Sequence, residues 1–470
     1  MHRTVFLSMG FIMLGTGAAS SAVAQEDVLN PAVNERGPQL NAPENVRFRK
    51  VPVRDSESSK TTVAFPDRAQ TVVRFTDSKR NAEERLGEDE VQVAGEPIPE
   101  QKRRARNSLV NKQNSRELTM LDAAMVRRRD RLRKCLSIYF QRREMAAERS
   151  PWGVMHSLIA FGVDTEIVAH GRPVNAIGWL CWNGVCNGQR LFTTKRGRLG
   201  ANVGAGYQGH DGQFLSMLAQ SKVGRNYGLK VKGADFDVMD LVDYEQRTCR
   251  SGAELTFKLI GLAHYLPSDA EWHNDRGEVW DIPRLIDEEL AQSVVDAACG
   301  GTHRIMGLSY AVFKRARRKE PFVGAWSRAK EYIEEFQDYT FTLQNRDASF
   351  STNWFTGRGR DRDINRRMET TGHILEWLVF SLPQQELLQP RVTRAVDYLT
   401  ELMLRNRDHD WEIGPRGHAL HALALYDERA FGSKPGDRAA VLEGRVVSTE
   451  GSVEQGGAVL RSAGRSATNR

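Results

Sequence analysis

The chain has 470 residues, of which 40% are hydrophobic and 27% are charged, as is typical of soluble globular proteins. Its net charge of +7 is small for this length and indicates only weak attraction to anionic surfaces. The basic residues are not interleaved with aromatic residues in any one stretch, so we expect no nucleic-acid partner.

The N-terminus has the pattern of a secretory signal peptide over residues 1–24. Arg3 supplies the positive charge, an apolar stretch runs from Val5 to Gly17, and Ala22-Val23-Ala24 is a small-x-small cleavage site. The alternative is a buried N-terminal helix. No stretch reaches the roughly 18 apolar residues of a membrane span. We therefore expect an exported protein, periplasmic or extracellular, without a transmembrane segment.

The remaining chain divides into three parts by composition. Residues 25–116 are polar and mix charges without helical periodicity, which predicts a disordered or loosely ordered arm. Residues 432–470 are rich in Gly, Ser, Ala and Arg and predict a disordered tail. Between them, residues 117–431 predict one helical domain. Five cysteines are too few and too scattered for a disulfide framework, which predicts buried thiols.

Two kinds of helical segment alternate within residues 117–431. One kind is amphipathic: from Val392 to Met403, apolar residues recur at helical spacing, with charged residues between them. The other kind is apolar nearly all round, as from Ile374 to Phe380, and must be buried on every side. An outer layer of amphipathic helices around an inner layer of buried helices satisfies both patterns.

The inner segments repeat along the chain. A histidine is predicted near the start of five segments and Thr256 near the start of the sixth, at intervals of 54, 46, 47, 70 and 45 residues. Repeats of this length built from helix pairs predict stacked hairpins. Because no polar end caps are apparent, we predict an all-α fold that closes into an (α/α)6 toroid. The second outer helix, near Asn175 to Trp182, is the least regular.

One turn carries a family resemblance. The segment from Leu343 to Phe350, Leu-Gln-Asn-Arg-Asp-Ala-Ser-Phe, resembles a conserved turn of terpenoid cyclases and protein prenyltransferase β-subunits, as does the inner segment that begins at Gly417. Those families are α/α toroids, so the resemblance implies that architecture for residues 117–431 in a secreted bacterial relative. The turn departs from the family at Ala348, where Gly is preferred. The Asp-x-Asp-Asp acid of cyclases does not occur, so classical terpene cyclisation is not expected.

The resemblance also suggests a zinc site. Prenyltransferase β-subunits bind zinc through an Asp, a Cys two residues later and a distant His, and this chain offers Asp296, Cys299 and His373 with a longer Asp-to-Cys spacing. Cys299 and His303 are four residues apart, which suits two ligands on one helix face. The candidate metal ligands are therefore Cys299, His303 and His373. Alternatively, Cys299 packs as a small core residue and His303 is a polar group at a helix start.

If the repeats close, the histidines are expected to line one mouth of a central cavity. Helix N-termini there would favour an anionic or hydroxyl-rich ligand, and histidine serves as acid or base near neutral pH. The candidate catalytic residues are His303, His373, Glu376 and Tyr310. The candidate ligand-binding residues are His156, His210, Glu254, His418, His421, Arg304 and Trp377. The alternatives are histidines that cap helices, a Glu376 paired with Arg366 or Arg367, and a Trp377 that only packs.

Two functions remain open from the sequence. The first is a toroid protein that binds a small-molecule, lipid-like (isoprenoid) or glycan ligand, or a partner, in a histidine-lined cavity. The second is an envelope enzyme, resembling a polysaccharide lyase, a hydrolase or a metal-dependent transferase, that uses His, Glu and Tyr at the cavity mouth. The first is favoured because no catalytic motif is complete.

Overall fold

The structure, a computed structural model, describes residues 123–443. The predicted signal peptide, the whole predicted N-terminal arm and residues 444–470 lie outside the described residues. The described part is mostly helical. Its α-helices are α1 (Ala123–Phe140), α2 (Pro151–Phe161), α3 (Ala176–Cys181), α4 (Gln213–Gln220), α5 (Val238–Arg247), α6 (Thr256–Tyr265), α7 (Ile282–Leu290), α8 (Thr302–Arg317), α9 (Ala325–Thr342), α10 (Ile364–Ser381), α11 (Pro390–Arg405), α12 (Ile413–Phe431) and α13 (Arg438–Leu442).

Short antiparallel hairpins join several of these helices. The strands are β1 (Glu166–Ala169), β2 (Arg172–Asn175), β3 (Phe192–Lys195), β4 (Arg198–Ala201), β5 (Gly228–Val231), β6 (Ala234–Asp237), β7 (Glu271–His273) and β8 (Val279–Asp281). They pair as β1–β2, β3–β4, β5–β6 and β7–β8. The expectation of a purely all-α fold is therefore wrong in detail, since these connections contain strands.

Three of the outer helices begin directly after the second strand of a hairpin. Asn175, Asp237 and Asp281 each end a second strand, and each side chain accepts a hydrogen bond from the first turn of α3, α5 or α7. An Asn or Asp at this position satisfies backbone N–H groups that the helix itself leaves free. The short helix near Asn175 to Trp182, the least regular prediction, is thus present as α3.

The inner helices contact one another in sequence order. Helix α2 packs on α4, α4 on α6, α6 on α8, α8 on α10, α10 on α12, and α12 returns to α2. Gly417 lets α12 approach α2, because a Cβ at this position would lie 2.3 Å from the His156 carbonyl oxygen. The odd-numbered helices α1 to α11 pack on the outside of this circuit, as α11 does through the buried Val392, Val396 and Leu399.

Described structure continues past residue 431, the predicted end of the helical domain. Helix α13 follows it and packs on α1. Arg438 is buried and donates a hydrogen bond to the Ala160 carbonyl oxygen at 3.0 Å, and the Gly436 N–H donates to Asp164 at 2.7 Å. The ordered domain therefore continues at least to residue 443.

The cysteine prediction agrees with the structure. All five cysteines carry free thiols; Cys135, Cys181, Cys186 and Cys249 are buried and Cys299 is half-buried. Within residues 123–443, the helices are too short or too polar to span a lipid bilayer.

Candidate histidine and cysteine metal centre

Five histidines from different repeats meet at the centre of the inner helices. The rings of His373 and His418 stack with their centroids 4.0 Å apart. The ring of His303 lies 5.2 Å from that of His418 and 5.3 Å from that of His210. His156 joins the group at 5.7 Å from His418. The histidine repeat in the sequence is therefore a contiguous cluster in space, named here the histidine cluster.

The helix position predicted for these histidines is wrong in three cases. His303 is the second residue of α8, but His156, His373 and His418 lie inside α2, α10 and α12. Their own backbone N–H groups are consequently engaged in helical hydrogen bonds. The free N–H groups and partial positive charge of helix N-termini are thus not the common feature of this cluster.

The histidines also do not line an open mouth. His156, His303, His373 and His418 are between 2% and 7% exposed, and only His210 is more accessible. Phe257 fills the space between two of the rings, at 4.9 Å from His210 and 5.1 Å from His303. The expected cavity mouth is replaced by a packed group of imidazoles.

Two of the histidines are oriented by their own helices. The Nδ1 atom of His156 lies 2.8 Å from the Trp152 carbonyl oxygen, and that of His373 lies 2.8 Å from the Glu369 carbonyl oxygen. Because a carbonyl only accepts hydrogen bonds, Nδ1 must carry the proton in both rings. The lone pair of each neutral ring is then on Nε2, the arrangement in which histidine commonly binds a metal ion.

Carboxylates orient the other rings. Glu254 accepts a hydrogen bond from His210 Nδ1 at 2.7 Å. Glu376 accepts from His418 Nδ1 at 2.8 Å and also from His421 Nδ1. Glu376 therefore pairs with two histidines, not with Arg366 or Arg367. Burial alone would raise the pKa of Glu376, but the electrostatic attraction of His418 and the hydrogen bonds from both histidines outweigh it and hold this pKa well below its usual value.

His303 differs from its neighbours because both of its ring nitrogens are buried without a hydrogen-bond partner. It is 7% exposed and lies in contact with three other histidine rings. An unpaired buried polar group costs about 1–3 kcal/mol, so such groups usually indicate a ligand or a functional role. His303 is the strongest sign of a ligand in the described part of the chain.

Cys299 reaches the cluster from a strained turn. Cys299, Gly300 and Gly301 all have positive φ angles, of 49°, 62° and 83°. A left-handed conformation costs a cysteine roughly 1–2 kcal/mol, and strain of this kind is concentrated at functional sites. Trp354 covers the turn so closely that a Cβ on Gly300 would lie 2.1 Å from its ring, and the same ring packs against His373 at 5.6 Å.

Three imidazoles of the cluster have a depressed pKa. Burial and the repulsion of neighbouring histidines lower the pKa of His156 and of His373 to about 3 and hold the pKa of His303 well below its usual value. Burial raises the pKa of the Cys299 thiol to about 12. At neutral pH His156, His303 and His373 are therefore neutral and keep a lone pair available, while the Cys299 thiol keeps its proton.

Two sets of side chains can each hold a metal ion. Cys299, His303 and His373 present one ligand atom each, all within 4.8 Å of one another. His210, Glu254 and His303 form a second set by the same measure. The first set is the one expected from the sequence. The sequence predicts Glu254 as a ligand-binding residue, but it does not predict that Glu254 groups with His210 and His303.

Other candidate residues lie elsewhere or play packing roles. The Tyr310 hydroxyl accepts from His264 Nδ1 at 2.7 Å and donates to the Ala219 carbonyl oxygen at 3.2 Å, so its polar contacts are with residues outside the histidine cluster. Trp377 is fully buried and donates to Ser309 at 3.0 Å, which agrees with the packing alternative. Sequence reasoning missed His264 and the covering role of Trp354.

A surface pocket of about 430 Å³ reaches one edge of the cluster. Its lining includes Glu254, Gln292, Asp296 and Arg304. Glu254 belongs to the second donor set, so solvent can approach that set from the pocket. Arg304, expected to bind a ligand, instead forms an ion pair with the buried Glu289 at 3.1 Å.

Comparison of the chain with protein-family models, with curated proteins and with solved structures finds no match. A function is therefore inferred from the geometry of the histidine cluster.

Proposed function

We propose that helices α1 to α12 form an (α/α)6 toroid related in architecture to terpenoid cyclases and prenyltransferase β-subunits. The unbroken circuit of contacts through α2, α4, α6, α8, α10 and α12 supports this proposal. So does the turn at Leu343 to Phe350, in which the Asn345 side chain donates to three acceptors and Ala348 adopts φ 71°, the conformation that favours the Gly of those families. An experimental structure in which α12 does not pack on α2 would exclude a closed toroid.

We further propose that this protein is exported and binds a divalent transition-metal ion, most simply zinc, at Cys299, His303 and His373. The observation that carries the proposal is His303, buried with two unpaired ring nitrogens beside a thiol and a second imidazole. Thiolate and neutral imidazole are the ligands that zinc prefers. A bound ion would coordinate a buried ring nitrogen of His303 that has no hydrogen-bond partner in the protein.

Three protein ligands leave one position free on a tetrahedral ion, which is the arrangement of catalytic or ligand-binding zinc sites. A zinc ion held there would supply Lewis-acid chemistry toward an oxygen or sulfur atom of the ligand. Cys299 would give up its proton to bind as a thiolate, and the Glu369 carbonyl oxygen fixes the tautomer of His373. The bound molecule would be a small-molecule, lipid-like or glycan ligand with a donor atom for that position.

The metal-free lyase or hydrolase is less well supported. Glu376 is held between His418 and His421, and the Tyr310 hydroxyl is engaged by His264 and Ala219. A general acid or base needs a proton-transfer path to the substrate, and both groups are occupied by protein partners.

The test is metal analysis of the purified full chain. The protein is stripped with a chelator, reloaded with zinc or with cobalt(II), and passed over a desalting column before elemental analysis. We expect bound metal, and cobalt(II) should give the intense ultraviolet band of a thiolate ligand. Cys299→Ser should abolish that band and weaken zinc binding by more than about 100-fold, beyond the effect of changing a group that merely orients a ligand.

Cys135→Ala is the matched control, because Cys135 is another buried free thiol outside both donor sets. It should leave the cobalt band and the zinc content unchanged. A wild-type protein that retains no metal after reloading would refute the proposal. Sequencing the N-terminus of the secreted protein tests export separately, with a start near Gln25 expected.

A further inference from the structure

We propose that His303 is shared by two metal sites, and that the second, formed by His210, Glu254 and His303, is the one open to solvent. This inference rests on the proposed metal site at Cys299, His303 and His373. It adds a second ion, a bridging role for His303 and a direction of access from the surface pocket.

The first support is the donor geometry. Two separate sets of ligand atoms, each within 4.8 Å, have His303 in common. The His303 ring packs against a histidine of each set, with centroids 5.3 Å from His210 and 5.7 Å from His373. One metal ion needs only one ring nitrogen of His303, and both ring nitrogens of His303 are without a hydrogen-bond partner. A single site would leave one buried nitrogen unsatisfied, whereas two sites use both.

The second support is the difference in accessibility. The side chains of His210 and Glu254 are 18% and 33% exposed, and Glu254 lines the pocket of about 430 Å³. His373 is 2% exposed and lies against Trp354. An ion in the second set can therefore exchange with solvent through the pocket more readily than an ion in the first set, where His373 is buried and Cys299 is half-buried.

The bridge has a defined proton balance. When the first divalent ion binds one nitrogen of His303, the other nitrogen still carries a proton. Binding of the second ion displaces that proton to solvent, and the ring becomes an imidazolate joined to both ions. Each second-site ion bound through His303 should therefore release one proton from this ring. Glu254 adds a negative charge to the same site, which offsets part of the repulsion between two cations.

The experiment measures stoichiometry and exchange in the reloaded full chain. Wild-type protein should hold two zinc ions, and a chelator should remove one quickly and the other slowly. Glu254→Gln should lose the fast-exchanging ion and keep the thiolate band of cobalt(II). Cys299→Ser should lose that band, and His303→Leu should lose both ions. His273→Ala removes an exposed histidine of β7. It should change neither the number of bound ions nor their rates of removal, and so controls for metal bound at the surface.

The outcomes separate this inference from the proposed function. One ion that needs Cys299 and is indifferent to Glu254→Gln would overturn the second site and leave the first intact. Two ions in both wild type and Glu254→Gln would place the second ion elsewhere and also overturn the inference. No retained metal at all would instead refute the proposed function.

Discussion

His303 and Arg304 are neighbours at the start of α8, and each is 7% exposed, but they lie in two very different polar clusters. The Arg304 guanidinium donates to Glu289, Gln292 and the Ser293 carbonyl oxygen. Glu289 also accepts from the Leu255 N–H at 2.7 Å and the Thr256 hydroxyl at 2.6 Å. In this group, named here the Glu289 cluster, the buried charged side chains find hydrogen-bond partners within the protein. The two ring nitrogens of His303 find none.

The comparison indicates that buried polar groups serve two different roles in this protein. A buried charge that is fully paired fixes the packing of its helices, since any other arrangement would leave it unpaired. A buried group that is left unpaired is costly in the free protein, and this cost is recovered only when something binds. The Glu289 cluster is accordingly structural, and the histidine cluster is the candidate binding site.

The largest expected effect comes from breaking the structural cluster. Arg304→Met leaves Glu289 fully buried without a counter-ion, and we expect a loss of about 3–5 kcal/mol in the free energy of unfolding, measured with urea. Arg405→Met is the control, because Arg405 is largely exposed in its pair with Glu401 and its loss should cost less than about 1 kcal/mol. Equal effects of the two substitutions would contradict the assignment.

Metal should stabilise the protein through the histidine cluster alone. At a free zinc concentration about 100 times the dissociation constant, the folded state should gain about 2.7 kcal/mol, seen as a rise in Tm. Arg304→Met should gain the same amount from a lower starting stability, and Cys299→Ser should gain far less. A zinc-dependent rise of equal size in Cys299→Ser would mean that the ion binds at another place.

His303→Leu should behave in the opposite way to Arg304→Met. The substitution removes two unpaired buried nitrogens and keeps an apolar side chain of similar size, so the metal-free protein should be unchanged or more stable by about 1 kcal/mol. The same variant should bind no metal. Urea unfolding in the presence of a chelator checks the first statement, and a loss of several kcal/mol there would reassign His303 to a structural role.

Acid should weaken the metal-free protein gradually. The pKa of His156 and of His373 is about 3 in the folded state and about 6.5 in the unfolded state. Between these values the unfolded chain binds more protons, so stability is retained above pH 6.5 and falls as the pH falls towards 3. Each histidine should contribute a slope of up to about 1.4 kcal/mol per pH unit. Urea midpoints that stay constant from pH 7 to pH 5 would contradict this burial.

The sequence predicted the helical pairs well because their signal is local. The apolar stripe of α11 and the apolar segments of α10 and α12 depend only on spacing along one helix. The β-hairpins were missed because their strands are three or four residues long and their turns use His170-Gly171, Arg196-Gly197 and Lys232-Gly233. A residue followed by Gly, both with positive φ, forms the usual two-residue hairpin turn, but Asn-Gly is the familiar signal.

The sequence predicted which residues could belong to the candidate site, but not how they are arranged. Sequence alone indicated that Cys299, His303 and His373 belong together, and that five repeats carry a histidine at one position. Only the tertiary structure decided that Glu376 pairs with histidines rather than arginines, that Tyr310 turns to His264, and that the second donor set exists. The reason is physical: helix type follows from spacing within one segment, whereas the partner of a buried polar atom depends on which neighbouring helix lies closest.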